Sequence, residues 1–472
     1  MTDPRPTITT PTIITIETPT LGNRSYLAHD GTVALVVDPQ RDIDRVLAAA
    51  EDAGVRITHV FETHIHNDYL TGGLSLAQAT GASYYVNAED PVSFERTPIR
   101  DGEVVEVSPT MHVQAIATPG HTYTHLSYAL STPGTDPSGS ADPEAVAVFT
   151  GGSLLFGTTG RPDLLGPDHT DALVHHQHAS AHRLAELLPD ATAVMPTHGF
   201  GSFCSPGSVT EVSSSTIGAE KRTNPALTTE AEEWVAQTLA SLDAFPAYYA
   251  HMGPGNSRGP QAPDLSAPEP ADRDTIARHI RDGEWVVDLR TRTAYASGHV
   301  IGTLNIGLDG QFATYLGWLI PWGTPVTVLG ETADDVAEAQ RELVRIGVDQ
   351  LVGAATGSPE DWTTGPLGTF PRATFGELAE VRHHRPVTVL DVRREQEFAE
   401  QHIEGSVGIP LHSLLGRLDE VPEGEVWVHC ASGYRASIAA SVLAGRGVPV
   451  VLVDDDFGAK AEGAGLPLVS AA

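Results

Sequence analysis

The sequence predicts an α/β protein built in three parts, and three observations carry that prediction. Short apolar runs of strand length alternate with helix-period segments along most of the chain. In the N-terminal half, strand-like runs end in histidines. In the C-terminal half, the chain repeats itself: Val287-Asp288-Leu289-Arg290 matches Leu390-Asp391-Val392-Arg393, and His299-Val300-Ile301-Gly302 matches His402-Ile403-Glu404-Gly405.

At 472 residues the chain is too long for one ordinary domain. Its net charge of −33 excludes nucleic acid and anionic membrane surfaces as expected partners, because both require a basic face. No apolar run is long enough to span a bilayer. Met1 to Thr12 is polar and lacks the basic start and apolar core of a signal peptide, so a cytoplasmic location is expected. The two cysteines, Cys204 and Cys430, lie far apart and do not suggest a disulfide framework.

From the N-terminus, Ile13 to Ile16, Ser25 to Ala28 and Val33 to Val37 read as strands. Ile43 to Ala53 has helical spacing and stops at Gly54. The strand Ile57 to Phe61 runs into Glu62-Thr63-His64-Ile65-His66-Asn67-Asp68-Tyr69. Alternate side chains of an extended segment face one way, so His64, His66 and Asp68 can converge. Imidazole with carboxylate suits zinc, iron or manganese. Two further histidines end strand patterns: His121 after Val113 to Ala117, and His198 after Ala191 to Val194. The predicted metal ligands are His64, His66, Asp68, His121 and His198. His125, His175, His176, His178 and His182 lack such a setting and read as polar helix or loop positions. Cys204, just past His198, reads equally well as a reactive thiol or as a buried structural one.

This region, about residues 10 to 260, resembles the metallo-β-lactamase fold, and within it the persulfide dioxygenases and glyoxalase II-like proteins. Gly160-Arg161-Pro162-Asp163-Leu164 and Thr216 to Pro225 are similar to the persulfide dioxygenase–rhodanese branch. The resemblance implies an αββα sandwich and an iron held by two histidines and an aspartate. The matching positions are His64, His121 and Gly152, so the carboxylate is missing. The family's last motif histidine is Tyr69 here. A dinuclear zinc hydrolase would lose both the bridging aspartate and that histidine. Iron is the expected metal and zinc the second choice, weakly held unless His66, Asp68, His198, Asp163 or water completes the site. On this reading a Gly152→Asp substitution restores the carboxylate and tightens iron binding.

Residues 253–271, rich in Gly, Pro and Ser, read as a linker between a domain at 1–252 and the repeats at 272–365 and 370–472. In the second repeat, Val426-Trp427-Val428 reads as a buried strand and Ala436 to Leu443 as a helix. Cys430 falls at their junction, where backbone N–H groups favour an anion, and Arg435 adds a fixed positive charge. That setting stabilises a thiolate nucleophile. In the first repeat Gly330 stands for Cys430 and Asp335 for Arg435, so that copy is expected to be inert, with a structural or docking role.

The Cys430 loop and the two repeated motifs resemble rhodanese-family sulfurtransferases, which implies that Cys430 carries a sulfane sulfur as a persulfide. Protein tyrosine phosphatases place five residues between Cys and Arg; the four here suit sulfur better. The whole chain therefore reads as a metallo-β-lactamase domain followed by two rhodanese-like α/β domains with parallel sheets. The expected function is persulfide oxidation to sulfite linked to sulfur transfer. Expected partners are a low-molecular-weight thiol or its persulfide, thiosulfate or sulfite; self-association is left open. The competing readings are a glyoxalase II-like thioester hydrolase and a metal-free front domain that only presents the rhodanese.

Overall fold

The protein is described by a computed structural model covering residues 10–132, 144–205 and 212–470, so the polar stretch before residue 10 lies outside the described residues. The chain divides into two units: residues 1–263 with 344–347, and 264–343 with 348–472.

The N-terminal unit holds two six-stranded sheets. One takes its strands in chain order from Thr12–Thr18 to Thr97–Ile99; the other runs from Val104–Ser108 to Ser215–Thr216. The strand Val33–Val37 shows why the sheets stack. Its alternate side chains Leu35 and Val37 join Tyr128, Leu130 and Phe149 of the other sheet between the layers. Ala34 and Val36 face the opposite way, against Val46 and Leu76 of the helices Asp44–Asp52 and Gly73–Thr80. The long helix Pro167–Leu187 covers the second sheet through Val174, Ala181 and Leu184. Each such leucine or valine contributes about 2 kcal/mol by leaving water. The result is an αββα sandwich. Gly54, at φ +66°, ends the helix Asp44–Asp52 in a conformation that costs other residues more.

The linker reading of residues 253–258 is corrected. The helix Tyr249–Arg258 runs through Gly253-Pro254-Gly255. Asn256 is buried on it and clamps the histidine loop. Its amide donates to the carbonyls of His66 and Tyr69, both at 2.8 Å, and its oxygen accepts from Thr71 N–H at 2.9 Å. Three well-made bonds outweigh the poor helix propensity of Gly and Pro. Asn256→Ala leaves three buried backbone groups unpaired and is expected to cost about 2–4 kcal/mol. A lowered urea midpoint for this unit checks it.

The C-terminal unit contains two all-parallel sheets. One has four strands, in the order Leu304–Asn305, Trp285–Asp288, Val326–Gly330, Leu351–Thr356. The other has five: Arg372–Ala373, Val450–Val453, Val426–His429, Thr388–Asp391, Val407–Gly408. The repeated motifs are the same physical device twice. Arg290 grips Asp288 and reaches the Gly298 carbonyl at 2.8 Å; Arg393 grips Asp391 and reaches the Gln401 carbonyl at 2.6 Å. His299 stacks on Tyr295 at 4.0 Å, as His402 does on Phe398 at 3.9 Å. Each histidine also donates Nδ1–H to the carbonyl of the residue it stacks on. Among the described residues no helix is long and apolar enough to cross a membrane.

Candidate metal centre and cysteine loop

Strand ends deliver the histidines to one place. His64 and His66 follow the strand Arg56–Phe61, His121 follows Met111–Ala117, and His198 follows Ala193–Pro196. All four are buried, and donor atoms of His64, His66 and His198 lie within 4.8 Å of one another. Donor atoms of His121, His198 and Cys204 meet the same limit.

The hydrogen-bond inventory fixes which nitrogen each ring leaves over. Thr63 Oγ1 donates to Asp38 at 2.7 Å, so it accepts from His64 Nδ1–H at 2.9 Å and leaves His64 Nε2. His121 Nδ1–H donates to the Arg161 carbonyl at 2.8 Å, and its buried Nε2 has no partner. His198 Nδ1 meets two acceptors, Asn23 Oδ1 at 3.0 Å and Asp68 Oδ2 at 3.2 Å, leaving Nε2. The Nε2 atoms of His64 and His198 stand 3.4 Å apart. That is the edge of a tetrahedron around a cation with bonds of about 2.1 Å. Burial, reinforced by the neighbouring His198, brings the His121 imidazolium down to about 3, so its nitrogen is open to a cation at neutral pH.

His66 is held differently. Its Nε2 faces Glu62 at 3.1 Å, Asp38 at 3.3 Å and the Tyr69 hydroxyl at 3.0 Å, while its buried Nδ1 has no partner. Burial works against its charge, but Asp38 and Glu62 outweigh burial and hold its pKa up to about 10. A cation at Nδ1 therefore displaces a proton. Tyr69, at the position of the missing motif histidine, stacks on His66 at 4.4 Å. Asp68 stays behind His198: Oδ2 accepts from Asn23 at 2.8 Å, and Oδ1 is buried without a partner. Asp163 is taken by Arg161 in two bonds, at 2.6 and 2.7 Å.

Gly152 does not offer the open position expected of it. A Cβ there would lie 2.4 Å from His121 Cδ2 and 2.6 Å from Cγ. The imidazole occupies the space a carboxylate would need, so the expectation that Gly152→Asp restores a ligand is corrected.

Sequence reasoning missed the groups that hold these rings. Asp38 ties three loops together through Thr63 and Thr197. Glu62 sits four residues before His66, a spacing that was available as a signal. His125 is no polar loop position: it is buried, stacks on His64 at 4.9 Å and accepts the Gly152 N–H at 3.0 Å.

In the second unit Cys430 ends the strand Val426–His429, and the helix Tyr434–Ala444 follows. The thiol is 2% exposed, and Gly433 N–H donates to its sulfur at 3.2 Å. Gly433 is at φ +94°, and a Cβ there would meet Asp454 at 2.3 Å, so only glycine closes this loop. The first repeat packs on the loop's helix: Tyr434 donates to the Gly307 carbonyl at 2.7 Å and Ser437 to Asn305 at 2.6 Å. Arg292 of that repeat binds Asp454 at 2.6 Å. In the first repeat, Asp335 folds back to cap Thr332 N–H at 2.8 Å.

Arg435 reaches Glu397 through both terminal nitrogens, at 2.6 and 2.8 Å, a partner that sequence spacing could not reveal. Burial raises the Glu397 carboxyl, but Arg435 outweighs burial and brings it down to about 2. A depressed carboxyl adds stability that is present above its unfolded value of about 4.3. That stability is lost as pH falls through about 2. Glu397→Gln should therefore destabilise the unit at neutral pH and flatten its loss of stability across this acid window. Urea midpoints measured against pH check it.

Comparison with known proteins agrees with this architecture. Residues 19–198 match the Metallo-beta-lactamase superfamily and residues 374–459 the Rhodanese-like domain. A metallo-beta-lactamase structure from Staphylococcus aureus subsp. aureus COL is 26% identical with a TM-score of 0.64, covering 74% of this chain and 100% of that one. The hydroxyacylglutathione hydrolase of Polaromonas sp. is 29% identical over 169 residues, 35% of this chain and 57% of its own length. That of Albidiferax ferrireducens is 31% identical over 178 residues, 38% of this chain and 62% of its own length. The chain thus spans about three fifths of these two relatives. The protein is a metallo-β-lactamase fold followed by a rhodanese-like domain, a fold whose relatives bind metal ions.

Proposed function

We propose that this protein is a cytoplasmic sulfur-metabolism enzyme. It joins a metal-dependent persulfide oxidation in the N-terminal unit to sulfur transfer through Cys430. The observation that carries the reading is the Cys430 loop: a thiol at a strand end, a backbone N–H on its sulfur at 3.2 Å, and an arginine in the first helical turn. The transfer step balances simply. The Cys430 thiolate attacks the outer sulfur of thiosulfate, the S–S bond breaks, and sulfite leaves with the electron pair; an acceptor thiol or sulfite then takes the sulfur from Cys430.

In the N-terminal unit, donor atoms of His64, His66 and His198 lie close enough to hold a cation, and those of His121, His198 and Cys204 form a second such set that shares His198. They do not reproduce a two-histidine, one-carboxylate set at Gly152. Iron bound there would supply the oxygen chemistry that turns a persulfide sulfur into sulfite. The residues themselves orient: Asp38 and Thr63 fix His64, Arg161 fixes His121, and Asn23 fixes His198.

A thioester hydrolase is the second reading, favoured by the names of the hydroxyacylglutathione hydrolases. Peptide mass mapping of the protein after thiosulfate treatment tests the first. The peptide carrying Cys430 should gain one sulfur, reversed by a thiol. No gain, with brisk hydrolysis of a glutathione thioester, would favour the second.

A further inference from the structure

We propose that Cys204 is a metal ligand: its thiolate supplies the anionic donor that Gly152 has removed. The proposal rests on the metal-centre reading above and deepens it.

Cys204 is fully buried, and its sulfur lies within 4.8 Å of donor nitrogens of both His121 and His198. His121 carries an independently unsatisfied nitrogen: Nδ1 is committed to the Arg161 carbonyl, and Nε2 is buried with no partner. Arg161 also fixes the other side. Its N–H donates to the Cys204 carbonyl at 2.8 Å, and its guanidinium to the Phe203 carbonyl at 3.2 Å. One residue therefore ties the His121 imidazole to the backbone of the Cys204 segment, and the pairing of Arg161 with Asp163 stiffens it.

Charge points the same way. Three imidazoles bring no negative charge to a divalent ion, and the carboxylate position is closed by the His121 ring. A thiolate restores one charge at that centre. On binding, the S–H bond breaks, a sulfur–metal bond forms, and the proton leaves to solvent. A donor set of imidazole and thiolate suits zinc, cobalt or ferrous iron over magnesium or calcium.

The experiment is a cobalt(II) titration of the full chain carrying Cys430→Ser, which leaves Cys204 as its only thiol. A near-ultraviolet sulfur-to-cobalt band should grow and saturate at one cobalt per chain. Adding Cys204→Ser should abolish that band and weaken cobalt binding by about tenfold or more, the least that losing even an outer partner costs. Because the first result is read on a chain with Cys204 intact, misfolding of the second variant does not decide the matter. Cobalt bound with visible bands but no sulfur band would overturn the thiolate ligand and leave the imidazole centre standing. No cobalt bound by either chain would overturn both.

Discussion

Replacing Cys430 with serine is expected to abolish thiosulfate-dependent sulfur transfer, by on the order of a thousandfold or more, as when other covalent nucleophiles are removed. Serine fits the same small site and can still meet the Gly433 N–H, so the loop should survive. What it cannot do is hold a sulfane sulfur, since no hydroxyl forms a persulfide. The rest of the chain offers no substitute. The first repeat has Gly330 at the corresponding position, and the remaining cysteine, Cys204, is fully buried in the other unit. Thiocyanate formation from thiosulfate and cyanide measures the effect. Transfer persisting near the parent rate would place the sulfur carrier elsewhere.

Gly152→Asp is expected to be the most damaging substitution in the N-terminal unit. The new Cβ would stand 2.4 Å from the His121 ring, against ordinary contacts of 3.4–4 Å. The ring cannot simply step aside, because its Nδ1–H is bonded to the Arg161 carbonyl. Overpacking of this kind costs about 1–3 kcal/mol, and the displaced imidazole adds a lost metal donor. The variant should unfold at lower urea and bind iron or cobalt more weakly than the parent. Tighter binding would mean that His121 swings out of the way and a carboxylate at this position can reach the cation.

The α/β class was legible because its signals are local. Strand-length runs ended where they were expected, as at Val33–Val37 and Val426–His429, and the repeated Asp–Arg and His motifs mark equivalent corners of two sheets. The histidines that gather at the candidate metal centre were visible for the same reason: each follows a strand. What stayed hidden depends on contacts between distant segments. Asn256 lies in a stretch whose Gly and Pro content argues against a helix, and its reason for being helical is some 190 residues away, at the carbonyls of His66 and Tyr69. Glu397 is separated from Arg435 by 38 positions. The consequence of Gly152 was misjudged because a missing side chain says nothing about which neighbour has moved into its space.

The central claim is that the imidazole centre serves persulfide oxidation, and oxygen consumption tests it most directly. Iron-loaded Cys430→Ser protein, with sulfur transfer removed, is given glutathione persulfide in an oxygen electrode while sulfite is quantified. The account predicts oxygen uptake with one sulfite formed per oxygen consumed, lost in His64→Ala and in His121→Ala. Stoichiometric iron with no oxygen uptake, alongside hydrolysis of a glutathione thioester by the same sample, would contradict it.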